Sequence, residues 1–245
     1  MSLSARLLCF TLLAHSQGLT LRANGEAAEE RGGNIYFHDD KDTIPKRLTD
    51  SGRDRSPALS PDSSRIVFVR DLLGGRDYND LSSGASTRRV MQLWVVYVKG
   101  NEAPTLVLDS PIKIMGRQFS GFYVPQFSSD NKLIYFLVQF GATSAAIVRL
   151  TVATGELAYI TDALGFSVIP SGKYKDDLIA QQHRAKLALG YYDWFYLLTP
   201  NGEQVDVIGE DKKDLSNFVE TYIGGIGPCR NWYTTDWMTC INHIR

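Results

Sequence analysis

The chain has 245 residues, 44% hydrophobic and 22% charged, a balance that fits a globular protein with a sizeable core and excludes a disordered chain. Twenty-six Lys and Arg against 27 Asp and Glu leave a net charge of −1, so no overall positive field exists to hold nucleic acid by counterion release. The longest apolar stretch falls far short of the roughly 20 residues a membrane-spanning helix needs, and no transmembrane span is expected.

Residues 1–16 carry one cation, Arg6, followed by the apolar run Leu7-Leu8-Cys9-Phe10-Thr11-Leu12-Leu13-Ala14 and the small residues Ala14 and Ser16. That order predicts a secretory signal peptide cleaved after Ser16, and hence an exported chain, periplasmic or extracellular. A buried first helix or strand is the competing reading, because the apolar core is only eight residues long. Leu8 precedes Cys9 where a lipoprotein signal needs a small residue, which argues against lipid attachment. Residues 17–33 read as a linker.

From Asn34 to Asp211 short β-rich runs alternate with turn residues, and no helical apolar period is convincing, which predicts an all-β fold. The runs recur in a fixed order. The aromatic strand Ile35-Tyr36-Phe37 is followed by a polar turn at Asp39 to Asp42 and a short strand Lys46 to Thr49. Ala58-Leu59-Ser60 and Ile66 to Val69 then flank Pro61-Asp62-Ser63, residues suited to a tight hairpin turn.

The same sequence of elements returns at 93–108, 124–138, 146–161 and, more faintly, 166–208, with Phe37, Trp94, Ile147 and Trp194 at comparable places, 57, 53 and 47 residues apart. Four strands per repeat of this length mark a β-propeller blade. The segments Asn34-Ile35-Tyr36-Phe37, Lys46-Arg47-Leu48-Thr49-Asp50 and Ser56-Pro57-Ala58-Leu59-Ser60-Pro61-Asp62 resemble the repeat of TolB-like propellers. That WD40-like repeat of the six-bladed type also occurs in the propeller domains of prolyl-oligopeptidase relatives. The resemblance covers about 175 residues and departs at Ser171 to Asp177, which replace the Ser-Pro-Asp-Gly turn. It implies four-stranded antiparallel blades and protein or peptide contact through face loops, without covalent chemistry.

Strand counting gives an outer pair at 34–49 and blades at 57–108, 124–161 and 166–208, a short form of about 3.5 to 4 blades. Closure could come from residues 218–241 supplying two inner strands to the first pair, or from pairing of two chains as a homodimer. Alternatively, the chain is a shortened relative of a larger propeller. The segment 212–245 holds Cys229 and Cys240, the two cysteines left after removal of the signal, and an even count in an exported chain suggests a disulfide.

Catalytic signatures are scarce: no Gly-x-Ser-x-Gly elbow occurs, and His38, His183 and His243 share no metal-ligand spacing. No catalytic residue, metal or cofactor is expected. Asp39, Asp40 and Asp42 lack the glycine and distal Glu of a calcium loop and read as a hairpin turn, and Asp62 and Asp130 as turn caps. The insert Asp71 to Arg89 carries Arg76, Tyr78, Arg88 and Arg89, residue types favoured at contact surfaces and suited to an acidic partner. A mobile surface insert is the competing reading. Two further candidate surfaces are the segment 109–123, with Arg117 and Phe119, and the aromatic run led by Tyr191 and Tyr192. That run could stack on a sugar or peptide, but sheet packing is the better expectation. The preferred function is a non-catalytic scaffold for a protein or peptide partner. The alternatives are a propeller enzyme acting on polysaccharide or peptide, and a self-pairing half-propeller.

Overall fold

The computed structural model describes residues 19–21, 26–39, 41–42, 44–72, 90–140, 144–186 and 190–223. The signal segment 1–16, insert residues Arg76, Tyr78, Arg88 and Arg89, and both Cys229 and Cys240 lie outside them.

The described residues form four antiparallel sheets in chain order. The first contains β1 (Leu19–Leu21), β2 (Ala27–Arg31), β3 (Asn34–His38) and β4 (Lys46–Arg47). The second contains β5 (Asp54–Leu59), β6 (Arg65–Asp71), β7 (Met91–Tyr97) and β8 (Thr105–Asp109). The third has β9 (Ile112–Ile114), β10 (Arg117–Phe127), β11 (Leu133–Phe140), β12 (Ser144–Thr151) and β13 (Leu157–Ala163). The fourth has β14 (Gly165–Val168), β15 (Leu178–Lys186), β16 (Gly190–Leu198) and β17 (Gln204–Gly209). Each sheet is a meander, and Phe37, Trp94, Ile147 and Trp194 all fall on the third blade strand, in β3, β7, β12 and β16. The all-β propeller architecture expected from the repeat is therefore present.

Two expectations are corrected. The stretch read as a linker, 17–33, contains β1 and β2, which complete the first sheet from upstream: Ala28 pairs with Phe37 and Leu19 with Glu29. Residues 218–223 supply no inner strand; Lys212–Tyr222 is helix α1. Its apolar residues Leu215, Phe218 and Val219 recur at helical spacing and are buried. Asp211 caps it, accepting from the Lys213 and Asp214 N–H groups at 2.8 Å each.

Apolar faces stack blade on blade. Ile35 and Phe37 meet Ile66, Phe68 and Val96 between the first two sheets. Val67, Val69 and Leu93 on the reverse face meet Phe136, Val138 and Val148 of the third. Tyr135, Leu137 and Ile147 pack on Phe166, Leu178 and Leu198 of the fourth. Alternate residues of one strand thus serve opposite interfaces, which explains uninterrupted apolar runs such as Ile66 to Val69. The far face of the last sheet, with Ile179, Phe195 and Leu197, is covered by Leu215, Phe218 and Val219 of α1.

Polar links set the spacing between blades. Lys46 Nζ donates to Val98 O and Gly100 O at 2.9 and 3.0 Å, joining the first two blades. Arg65 reaches Asn131 O, and Arg149 reaches Pro200 O at 3.1 Å. Between β10 and β14 the buried Gln126 side chain acts as a strand edge, donating to Phe166 O and accepting from Val168 N.

The β2–β3 turn locks the first blade to the second. The Asp54 N–H donates to Gly33 O at 2.8 Å, and a Cβ on Gly33, where φ is +74°, would stand 2.2 Å from Gly52 O. Gly33→Ala should therefore cost about 2 kcal/mol or more in urea unfolding. Gly32→Ala, whose Cβ would meet nothing within 4 Å, should cost only about 1 kcal/mol. Equal costs would contradict this contact.

Candidate functional site

Strand direction gives the stack two ends. The upper end carries the connections between successive sheets and between second and third strands; the lower end carries the remaining turns. The insert leaves β6 at Asp71 and rejoins at Met91, with its base closed by the Leu72 N–H donating to Val90 O at 3.0 Å. Arg117 begins β10, and Tyr191 and Tyr192 begin β16. The described ends of the insert, the start of β10 and the start of β16 therefore all lie at the upper end, on three successive blades.

The structure separates those candidates by exposure. Met115 and Gly116 form the tip of the β9–β10 hairpin, with Met115 84% exposed and Lys113, Arg117 and Gln118 exposed beside it. Phe119 is a correction: it is 3% exposed, stacked on Phe140 with ring centres 5.8 Å apart, because residue alternation along the hairpin turns it inward with Ile112 and Ile114. Arg117 lies over the same Phe140 ring at 5.4 Å. Tyr192 is half-buried, edge-on to Trp194 at 6.0 Å, and Trp194 leans on Tyr196. Phe195 and Tyr196 are buried, so this part of the aromatic run packs between elements.

Sequence reading missed two ion pairs at the upper end of the second blade. Arg70 donates to Asp54 from Nε at 2.6 Å and from Nη2 at 3.0 Å, while its guanidinium lies 4.4 Å from the Trp94 ring centre. Arg55 pairs with the buried Asp71. The sequence signal is two charged residues at the start of β5, Asp54 and Arg55, and two at the end of β6, Arg70 and Asp71. These pairs hold the strand ends from which the insert departs.

His38 pairs with Glu29 at 2.6 Å, and His183 pairs with Asp193. Among the described residues no group of three His, Cys, Asp or Glu could hold a metal ion. Burial pushes the Tyr135 hydroxyl up to about 12, keeping it protonated.

At the lower end, a cleft of about 490 Å³ opens between the first two blades. It is bounded by the β3–β4 loop, the β5–β6 turn and the β7–β8 turn, with buried Phe37 and Val98 among its walls. Ile44 and Tyr97 line it while remaining 79% and 44% exposed. The sequence marked the acidic turn but not Ile44 or Tyr97, because the two loops meet only once the blades stack.

No family model matches the sequence, and no curated protein matches it significantly. Among solved structures, TolB from Acinetobacter baumannii aligns with a TM-score of 0.51 at 14% identity, over 77% of this chain and 42% of that one. The β-propeller domain of the Trilobed protease from Pyrococcus furiosus, which has an open velcro topology, aligns at 0.51 and 12% identity, over 80% and 58%. Dipeptidyl peptidase 4 from Porphyromonas gingivalis aligns at 0.54 and 12% identity, over 79% and 32%. The chain thus spans roughly a third to three-fifths of these proteins. The likeness shows a propeller-type fold, shared by TolB and by peptidases.

The Ser60 to Ser64 turn beside the cleft has a measurable pH signature. Burial pushes the Asp62 carboxyl up, but the Ser60 hydroxyl and the Ser64 N–H and hydroxyl all donate to it, and with Arg65 nearby they hold it at about 2. Since the folded value lies below the ordinary 3.8, its stabilisation is complete above that value and is lost as pH falls toward 2. Asp62→Asn should lower the melting temperature at pH 7 by about 2–4 °C, allowing for solvent screening at this exposed site. The gap from wild type should close between pH 4 and 2; a constant gap would remove the carboxylate from this role.

Proposed function

We propose that the chain is an exported, non-catalytic propeller scaffold that binds a protein or peptide partner at its upper end, in the periplasm or outside the cell. The observation that supports this reading is that the described attachment points of three segments chosen separately in the sequence lie at one end of the stack. These are the insert with Arg76, Tyr78, Arg88 and Arg89, the hairpin with Arg117, and the start of β16 with Tyr191 and Tyr192. Lys113 and Arg117 flank the exposed Met115, and Arg53, just before β5 of the second blade, donates to Leu72 O at the insert's base on the same blade. This favours a partner surface with acidic and apolar groups. Export is supported by the signal-like order of residues 1–16, and the partner class by the propeller likeness to TolB.

The test is affinity capture from native envelope extract with tagged residues 17–245. The same chain lacking 74–88 and an Arg117→Glu variant serve as controls, compared by mass spectrometry. A partner retained by the parent chain and lost or depleted about tenfold with either change is the expected outcome. Equal capture by all three would place the binding surface elsewhere. Turnover of a peptide or polysaccharide, abolished by one carboxylate or His substitution, would replace the scaffold with an enzyme.

A further inference from the structure

We infer that the lower-end cleft between the first two blades is a second binding site, and that it takes the Lys or Arg side chain of an extended peptide. This site is separate from the upper-end surface and does not depend on it.

Shape comes first. A volume of about 490 Å³ falls within the range of natural ligand pockets. The walls come from different blades, so the cavity is set by blade packing. Its position is fixed by the two Lys46 bonds to the β7–β8 turn, at 2.9 and 3.0 Å. Phe37 and Val98 contribute buried apolar wall, whereas Ile44 and Tyr97 are large apolar side chains left exposed on opposite blades. Two such groups flanking one cavity suit the aliphatic stem of a long side chain, or the apolar neighbours of a peptide residue.

Charge selects the occupant. Glu26, Asp39, Asp42 and Asp62 line the cleft against Lys46 and Lys99. Lys46 already donates to two carbonyl groups across the blade junction, so its ammonium faces protein acceptors. Asp62 is likewise held within its own turn by Ser60 and Ser64, and the net excess of carboxylates over ammonium groups along the lining repels an anionic ligand and favours a guanidinium or ammonium head. Two flanking apolar groups and a carboxylate-lined cavity together match a cation on an aliphatic stem better than a bare metal ion.

The test uses the full chain, nitrogen-labelled, and the peptide acetyl-Ala-Leu-Arg-Leu-Ala-amide, with citrulline or Glu replacing Arg as controls. The Arg peptide should shift the amide resonances of Ser63, Ser64, Lys99 and Gly100. Affinity should fall about tenfold with citrulline or in the Asp39→Asn/Asp42→Asn variant, and binding should weaken at high salt. Tyr97→Ala keeps every charge and should also weaken binding, with its melting curve confirming the fold. Deletion of 74–88 should leave the cleft response intact, which separates failure here from failure at the upper end. The assignment is overturned by equal binding of the citrulline peptide, by shifts confined to the upper end, by variants that bind as wild type, or by no shifts at millimolar peptide.

Discussion

The structure depends on covering the two terminal faces of a stack of blades. Each inner blade offers apolar side chains on both faces and buries both against its neighbours, but a stack of four sheets in chain order still has a first and a last face. The last is resolved by packing an amphipathic helix on a sheet. Leu215, Phe218 and Val219 of α1 lie on Ile179, Phe195 and Leu197, and Tyr174 stacks on Phe218 at 5.7 Å. The helix takes the place against the fourth sheet that a further blade would otherwise occupy. The first face is resolved by composition: Glu29, Arg31, Tyr36 and His38 occupy it, joined by the Arg31–Glu29 and His38–Glu29 pairs.

With these faces of the described sheets occupied, the upper and lower ends of the stack can carry different chemistry. The upper end bears the attachment points of the long insert between β6 and β7, together with short links such as Gly32-Gly33 and Leu164. The lower end bears turns of five to nine residues. Ser60 and Asp62 fix one of these, and Ser128 and Asp130 repeat it, with Ser–Asp hydrogen bonds of 2.6 and 2.7 Å. The Ser60–Asp62 turn forms part of the second-blade wall of the cleft, and the Lys46 bonds to Val98 O and Gly100 O fix the first blade against it.

Much of the fold was legible in the sequence because burial on one or two faces leaves different patterns. Ile66 to Val69 and Ile134 to Val138 are unbroken apolar runs from strands buried on both sides, whereas Asn34 to His38 alternates, as a strand of an end blade must. Short or polar strands were illegible. β1 and β2 contain Thr20, Glu29, Glu30 and Arg31, and the pairing of β1 with β2 and of β2 with β3 is supplied by backbone bonds that leave no residue signature. The fourth blade looked weak because its turn lacks the Ser-Pro-Asp pattern. Asp176 instead accepts from Ser129 N and Oγ at 2.6 Å each, tying that turn to the third blade. Phe119 reads as a surface aromatic because nothing in 109–123 announces the β9–β10 hairpin, whose reversal turns that side chain inward.

Sedimentation velocity on a Leu215→Asp/Phe218→Asp double variant, beside wild type at equal concentration, tests the central claim most directly. If α1 covers the terminal face, the charges should lift the helix and expose Ile179, Phe195 and Leu197. The variant should then sediment as larger, concentration-dependent species with lower thermal stability. A variant that sediments and melts as wild type would contradict the account, because the last blade would then need no cover from the helix.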